Sequence, residues 1–219
     1  MELDIIDSTI GICAKRGSGK SELVKYLLQS YYKEFDKIVI ISATENINKF
    51  YQQMPFIDPK FIYDKYDESF VNGLMKAMAR KNEGLKKGNK NMKHVLLILD
   101  DICSSFNTHS SQSLEKLFTT GRHYGISVVI VQQYICSIPP IVRNNCDYIC
   151  VSQMNKQGLD LLSTQYLFGN IEAKEFKQLY LKSTSNYGFM IICSKCAKSN
   201  NDLNEIYGVI RVPAEFIKK

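Results

Sequence analysis

Apolar residues are distributed along this chain in two alternating textures. Short unbroken runs, rich in β-branched residues, occupy 8–14 (STIGICA), 37–43 (KIVIISA), 94–101 (HVLLILDD), 126–133 (ISVVIVQQ) and 147–153 (DYICVSQ), with a weaker run at 60–66 (KFIYDKY). Between them the spacing changes. In GKSELVKYLLQSYYKEF, Leu23, Val24, Leu27, Leu28 and Tyr31 share one face at helical period, and over 67–80 Phe70, Val71, Leu74, Met75 and Met78 do the same. Residues 111–125, 155–167 and 171–182 also read as helices, and 187–193 and 205–212 as two closing strands. Continuous apolar strands alternating with amphipathic helices predict an α/β fold, a mainly parallel sheet covered on both faces. Crossovers are then right-handed, and the last two strands predict an appended C-terminal β-hairpin. No boundary is evident, so one domain is expected, with a core of about 8–170 and C-terminal helices and hairpin over about 171–219.

Composition narrows the classes. With 45% hydrophobic and 23% charged residues over 219 positions, the chain has the profile of an ordinary globular protein. No run reaches the ~18 apolar residues of a membrane span. The opening MELDIIDST is short and acidic and lacks a cationic leader, which predicts an intracellular protein with no separate module before the first strand. Of seven cysteines, Cys13, Cys103, Cys136, Cys146, Cys150 and Cys193 lie on or beside apolar runs, which predicts buried reduced thiols. Cys193 and Cys196 form a lone CxxC pair; a zinc site needs about four ligands, so the pair is read as structural. A net charge of +6 permits an anionic partner such as nucleic acid.

The chemistry begins at AKRGSGKS. Ala14, Gly19, Lys20 and Ser21 satisfy the pattern [AG]xxxxGK[ST], between a predicted strand and a predicted helix. Gly17 and Gly19 allow positive φ and let bare N–H groups from Lys15, Arg16, Ser18 and their neighbours approach phosphate oxygens. The helix start adds positive potential. Lys20 would reach the outer phosphates and Ser21 would place its hydroxyl on Mg²⁺. The expected cofactors are ATP and Mg²⁺, and no NKxD-like guanine signature occurs. The run VLLILDD ends in two carboxylates. At the carboxyl edge of a parallel sheet, Asp100 would serve the metal and Asp101 would act as base toward water. Gln133, ending the next strong strand, could orient that water. Arg122 precedes the same strand, at its opposite end, and could serve a neighbouring subunit; Arg143 is a second candidate, and Arg16 could touch phosphate within its own chain.

KRGSGKS, KIVIISATENINKFYQQ, FIYDKY, LLILDDI, GRHYGISVVIVQQY and IPPIVRNNCDYI, in that order, resemble the genome-packaging ATPases of large double-stranded DNA viruses, the poxvirus and iridovirus kind, within the FtsK–HerA group. The resemblance spans roughly 8–170 and implies an ASCE-type, RecA-like P-loop fold with an extra strand between the cradle strand and the acidic strand. It implies a homo-oligomeric ring of five or six subunits, sequence-independent contact with duplex DNA, a capsid or portal partner, and no small-molecule substrate beyond ATP. It matches Lys20 and Ser21 to the cradle, Asp100 to the metal acid, Asp101 to the catalytic acid, Gln133 to the sensor and Arg122 to the arginine before the sensor strand. Asp101 stands where many translocases carry Glu. Host cytoplasm at the site of virus assembly, and the virion, are the implied locations. The Lys-rich stretch 80–94 offers Lys86, Lys87 and Lys90 as DNA contacts, or is simply a solvated connection. Three alternatives stand beside this reading: a plasmid or cellular DNA translocase, a small-molecule P-loop kinase, for which only Arg143 is found over 140–170, and a non-catalytic ATP-gated assembly protein, against which Asp101 and Gln133 argue.

Overall fold

The computed structural model describes residues 3–102, 111–197 and 202–217. Among the described residues, eight strands form one sheet: β1 (Thr9–Cys13), β2 (Lys37–Ser42), β3 (Ile62–Tyr63), β4 (Val95–Asp100), β5 (Ile126–Gln132), β6 (Tyr148–Val151), β7 (Phe189–Cys193) and β8 (Tyr207–Ile210). Their order across the sheet is β3-β2-β4-β5-β1-β6-β7-β8. The first six run parallel. β7 pairs antiparallel with β6, and β8 antiparallel with β7. β5 thus lies between the cradle strand β1 and the acidic strand β4, as the sequence led us to expect. Cys13 stands opposite Gln132, and Asp100 opposite Val131, so the three central strands end almost level.

The central strands are buried on both faces, and their side chains alternate between two cores. Leu96 and Ile98 pack with Ile10, Ile12 and the Leu23, Leu27 and Leu28 face of α1 (Lys20–Tyr31). Leu97 and Leu99 point the other way, to Val71, Met75, Leu114 and Phe118. Val71 and Met75 come from α3 (Glu68–Lys87), Leu114 and Phe118 from α4 (Gln112–Thr120). Between α1 and α3 lies one short helix, α2 (Glu45–Asn48). Each fully buried aliphatic side chain contributes about 1.5–3 kcal/mol relative to exposure, which explains why these runs are almost wholly aliphatic; Ser127 in β5 is a buried polar exception. Further along are α5 (Pro140–Asn144), α6 (Lys156–Gln165), α7 (Ala173–Ser183), α8 (Ser194–Ala197), α9 (Leu203–Ile206) and α10 (Ala214–Ile217). Among the described residues, no helix is long and apolar enough to cross a membrane.

Three expectations are corrected. First, α3 continues to Lys87, seven residues beyond the predicted end, so 80–94 is not a simple connection. Asp67 caps its start, accepting from the amides of Ser69 and Phe70. Its buried stripe runs Met75, Met78, Asn82, and the last of these is polar. The Asn82 amide donates to the carbonyls of Lys93 and Tyr124 and accepts from the Lys93 amide. A count of apolar positions passes over such a residue. Second, Cys193 and Cys196 are joined in a disulfide rather than standing as thiols; the turn into α8 brings their Cα atoms to 5.3 Å, within the range a bridge requires. Third, Cys136 is exposed, whereas Cys13, Cys146 and Cys150 are buried thiols; Cys103 lies outside the described residues. The predicted hairpin is present, but β7 and β8 are linked through α8 and α9 instead of a tight turn.

Candidate active site

The cradle occupies the turn from β1 into α1. Gly17 and Gly19 adopt φ of 78° and 87°, the left-handed region open to glycine. No atom lies within 4 Å of a Cβ built on Gly17, so its requirement is conformational rather than steric. The turn is pinned on both sides, by the Ala14 amide to the Gln132 carbonyl and the Lys15 amide to the Gln153 carbonyl. The Lys20 ammonium folds back onto the carbonyls of Ala14 and Lys15. Burial lowers its pKa, opposed by the charges of Asp100 and Asp101.

Asp100 ends β4 facing the cradle across β5. Its Oδ2 accepts from the Tyr51 hydroxyl at 3.1 Å and from Ser42 Oγ at 3.3 Å. Burial pushes its carboxyl up to about 6, Asp101 adds to the rise, and Tyr51, Ser42 and Lys20 oppose it. Asp101 sits at φ 54°, a conformation that Asp tolerates better than most residues. Its amide continues the ladder to Val131 O, and its Oδ2 accepts from Gln133 Nε2 at 3.3 Å.

Gln132, the residue before Gln133, ends β5. It is 3% exposed, it lines the same cleft, and its Nε2 has no hydrogen-bond partner in the structure. An orphaned buried amide donor costs free energy, and a bound anion would remove that cost. The cleft that gathers these groups measures about 780 Å³ and is walled by Arg16, Gly19, Lys20, Ser21, Asp100, Asp101, Gln132 and Gln133 among others. Its volume, its left-handed glycines, the half-buried Lys20 and the unpaired Gln132 donor all fit a polyphosphate. Ser21 and Asp100 supply the hard oxygen donors that suit Mg²⁺ shared with phosphate.

Sequence reasoning missed the strap that holds Asp100. The buried Glu45 carboxylate accepts from the amides of Tyr51 and Gln52, at 3.1 and 2.9 Å. That fixes Tyr51, itself buried, with its hydroxyl on Asp100. Only the adjacency of β2 to β4 reveals this role; along the chain, Glu45 and Tyr51 are two residues of a polar loop.

The other candidates lie apart. Arg122 occupies a 3₁₀ turn (Gly121–Tyr124) at the amino end of β5, across the sheet from the acids, with Nη1 3.5 Å from Asp147 Oδ1. Asp147 also accepts from the amide and hydroxyl of Thr9. Arg143 is 5% exposed, and its Nη1 donates to the carbonyls of Ile135 and Ile138. It fastens α5 to the 135–138 segment of its own chain, with its guanidinium buried rather than presented at the surface. Lys86 and Lys87 end α3 and Lys90 follows it, with Lys87 paired to Glu83 at 2.8 Å. Asn82 anchors that end of α3 to the carbonyl of Tyr124, so the lysines and Arg122 share the edge opposite the cleft.

A protein of Invertebrate iridescent virus 6 is 28% identical over 207 residues, covering 94% of this chain and 78% of its own. A protein of Acanthamoeba polyphaga mimivirus is 30% identical over 196 residues, covering 80% of this chain and 66% of its own. Among solved structures, the genome packaging NTPase B204 of Sulfolobus turreted icosahedral virus 2, bound to AMPPCP, superimposes with a TM-score of 0.64. It does so at 18% identity, over 94% of this chain and 97% of that one, a likeness of fold. The model of the Poxvirus A32 protein family matches residues 3–197, and the chain belongs to that family.

Proposed function

We propose that this chain is a Mg²⁺-dependent ATPase that drives double-stranded viral DNA into a preformed capsid. In this reading it works as a ring of five or six copies docked on a capsid or portal component, at the site of virus assembly. The observation that carries it is the convergence of Lys20, Asp100, Asp101 and the two glutamines on one cleft at the carboxyl edge of the sheet. Backbone N–H groups of residues 17–21 and the start of α1 receive the phosphates. Lys20 exchanges its two carbonyl partners for phosphate oxygens, and Gln132 Nε2 gains an acceptor. Ser21 and Asp100 would hold Mg²⁺, which neutralises phosphate charge when bound. Asp101 takes the proton of the attacking water, oriented by Gln133 through their hydrogen bond. Arg122 serves the cleft of a neighbouring copy, where such a group accelerates transfer by about 10³–10⁵. Lys86, Lys87 and Lys90 meet the DNA backbone.

ATP turnover without any acceptor, measured with and without duplex DNA, tests the assignment. Wild-type protein should hydrolyse ATP and be stimulated by DNA. Asp101→Asn should lose about 10²–10⁴ in turnover while retaining ATP binding. Wild-type protein with no turnover in any oligomeric state, or phosphorylation of a metabolite with indifference to DNA, would refute it.

A further inference from the structure

The strand order sorts the cleft lining into two ends. Asp100 ends β4, two strands to one side of β1. Two strands to the other side, about 10 Å away at ordinary strand spacing, Tyr187 leads into β7, and Val212 follows β8 one strand further out; both line the same cleft. Tyr187 is 67% exposed although it is aromatic. Its φ is 56° and that of Asn186 is 51°. A bulky residue in the left-handed region is strained, and the turn that contains it sets the ring beside Gly19 of the cradle. The nearest atoms to a Cβ built on Gly19 are Phe189 Cε2 at 3.9 Å and Tyr187 Cδ1 at 4.0 Å. The turn cannot simply relax toward α7, because Gly188 lies so close to the Ser183 carbonyl that a Cβ there would fall 2.1 Å from it.

We infer that Tyr187 and Val212 form the nucleobase subsite. A purine stacks on the phenol ring with Val212 as its second wall, while the phosphate chain runs past Gly19 toward Lys20 and Asp100. This rests on the nucleotide reading above and adds to it which end of the cleft takes the base and how. Stacking acts on any base, since each has a π-face, so ATP and GTP should depend on Tyr187 equally.

The test is equilibrium binding of ATP, GTP and inorganic tripolyphosphate, each with Mg²⁺, to wild type, Tyr187→Phe and Tyr187→Asn. Asn tolerates the left-handed backbone but removes the ring. Tyr187→Asn should weaken ATP and GTP each by about tenfold and leave tripolyphosphate unchanged; Tyr187→Phe should match wild type throughout. The inference is overturned if Tyr187→Asn binds ATP like wild type, if it loses tripolyphosphate by the same factor, or if wild type binds ATP no better than tripolyphosphate. Wild type that binds neither sinks the nucleotide reading itself, a result distinct from failure of the subsite alone.

Discussion

Asp100 carries a negative charge that its own surroundings disfavour. Its carboxyl titrates at about 6 in the folded chain, chiefly because it is buried, against about 3.9 when unfolded. Below the unfolded value it is protonated in both states. As pH rises through 4 to 6 the unfolded chain releases its proton first, so the ligand-free fold loses stability across that window. Asp100→Asn keeps an acceptor for Tyr51 and Ser42 and removes the buried charge. It should therefore melt a few degrees above wild type at pH 7, on the order of 1–3 kcal/mol, with the advantage vanishing below pH 4. Thermal melts of both proteins across pH, without nucleotide, check this; a variant that melts below wild type at pH 7 contradicts it.

At the level of elements, the strap over 45–52 holds this acid in place. Glu45→Ala would leave the Tyr51 and Gln52 amides without their acceptor, at about 1–3 kcal/mol per orphaned group. Urea unfolding should show a lower midpoint with an unchanged slope, and a midpoint within 0.5 M of wild type (about 1 kcal/mol at an ordinary slope) would show that the strap does not brace the fold. The elements differ in how openly the sequence declared them. β1, β4 and β5 are read directly, because strands buried on both faces show as runs dominated by β-branched and other aliphatic residues, with Thr9, Ser127 and Gln132 as the few polar positions. Lys20, Ser21, Asp100 and Asp101 meet in one cleft because the strand order brings the turn after β1 and the tip of β4 to the same edge of the sheet. β3 is only two residues long, and its pairing partner β2 rather than its composition defines it. The full length of α3, the Cys193–Cys196 bridge and the Glu45–Tyr51 strap escape a linear reading. The end of α3 and the seat of Tyr51 on Asp100 depend on partners that only the tertiary fold brings near, whereas the bridge depends on a local turn that the spacing alone does not fix.

For the whole molecule, the placement of charge predicts behaviour in assemblies. Arg122 lies far from the acids of its own chain, so a site completed in trans has a clear signature. Lys20→Ala and Arg122→Ala preparations, each inactive alone, should regain turnover when mixed and allowed to assemble; a mixture as inactive as its parts would place the arginine's role elsewhere. Replacing Lys86, Lys87 and Lys90 together by Ala should lower DNA affinity uniformly across sequences. It should also flatten the salt dependence by up to about 0.9 per lost phosphate contact, and an unchanged slope would make that end of α3 a solvated terminus only.

β5 bears on how such an assembly could communicate. It is the one strand clasped between the phosphate turn and the acid, it is buried along its whole length, and at about 3.3 Å per residue it is a rod of roughly 20 Å. The Arg122 turn is fastened to its near tip and the paired amides to its far tip. Paired on both flanks to β1 and β4, it has little freedom to bend. A nudge delivered to the outer rim by an adjoining copy would arrive at the glutamines as axial travel rather than dissipating sideways. Timing between neighbours could thus be set by a single stiff segment, with no hinge or mobile cap required.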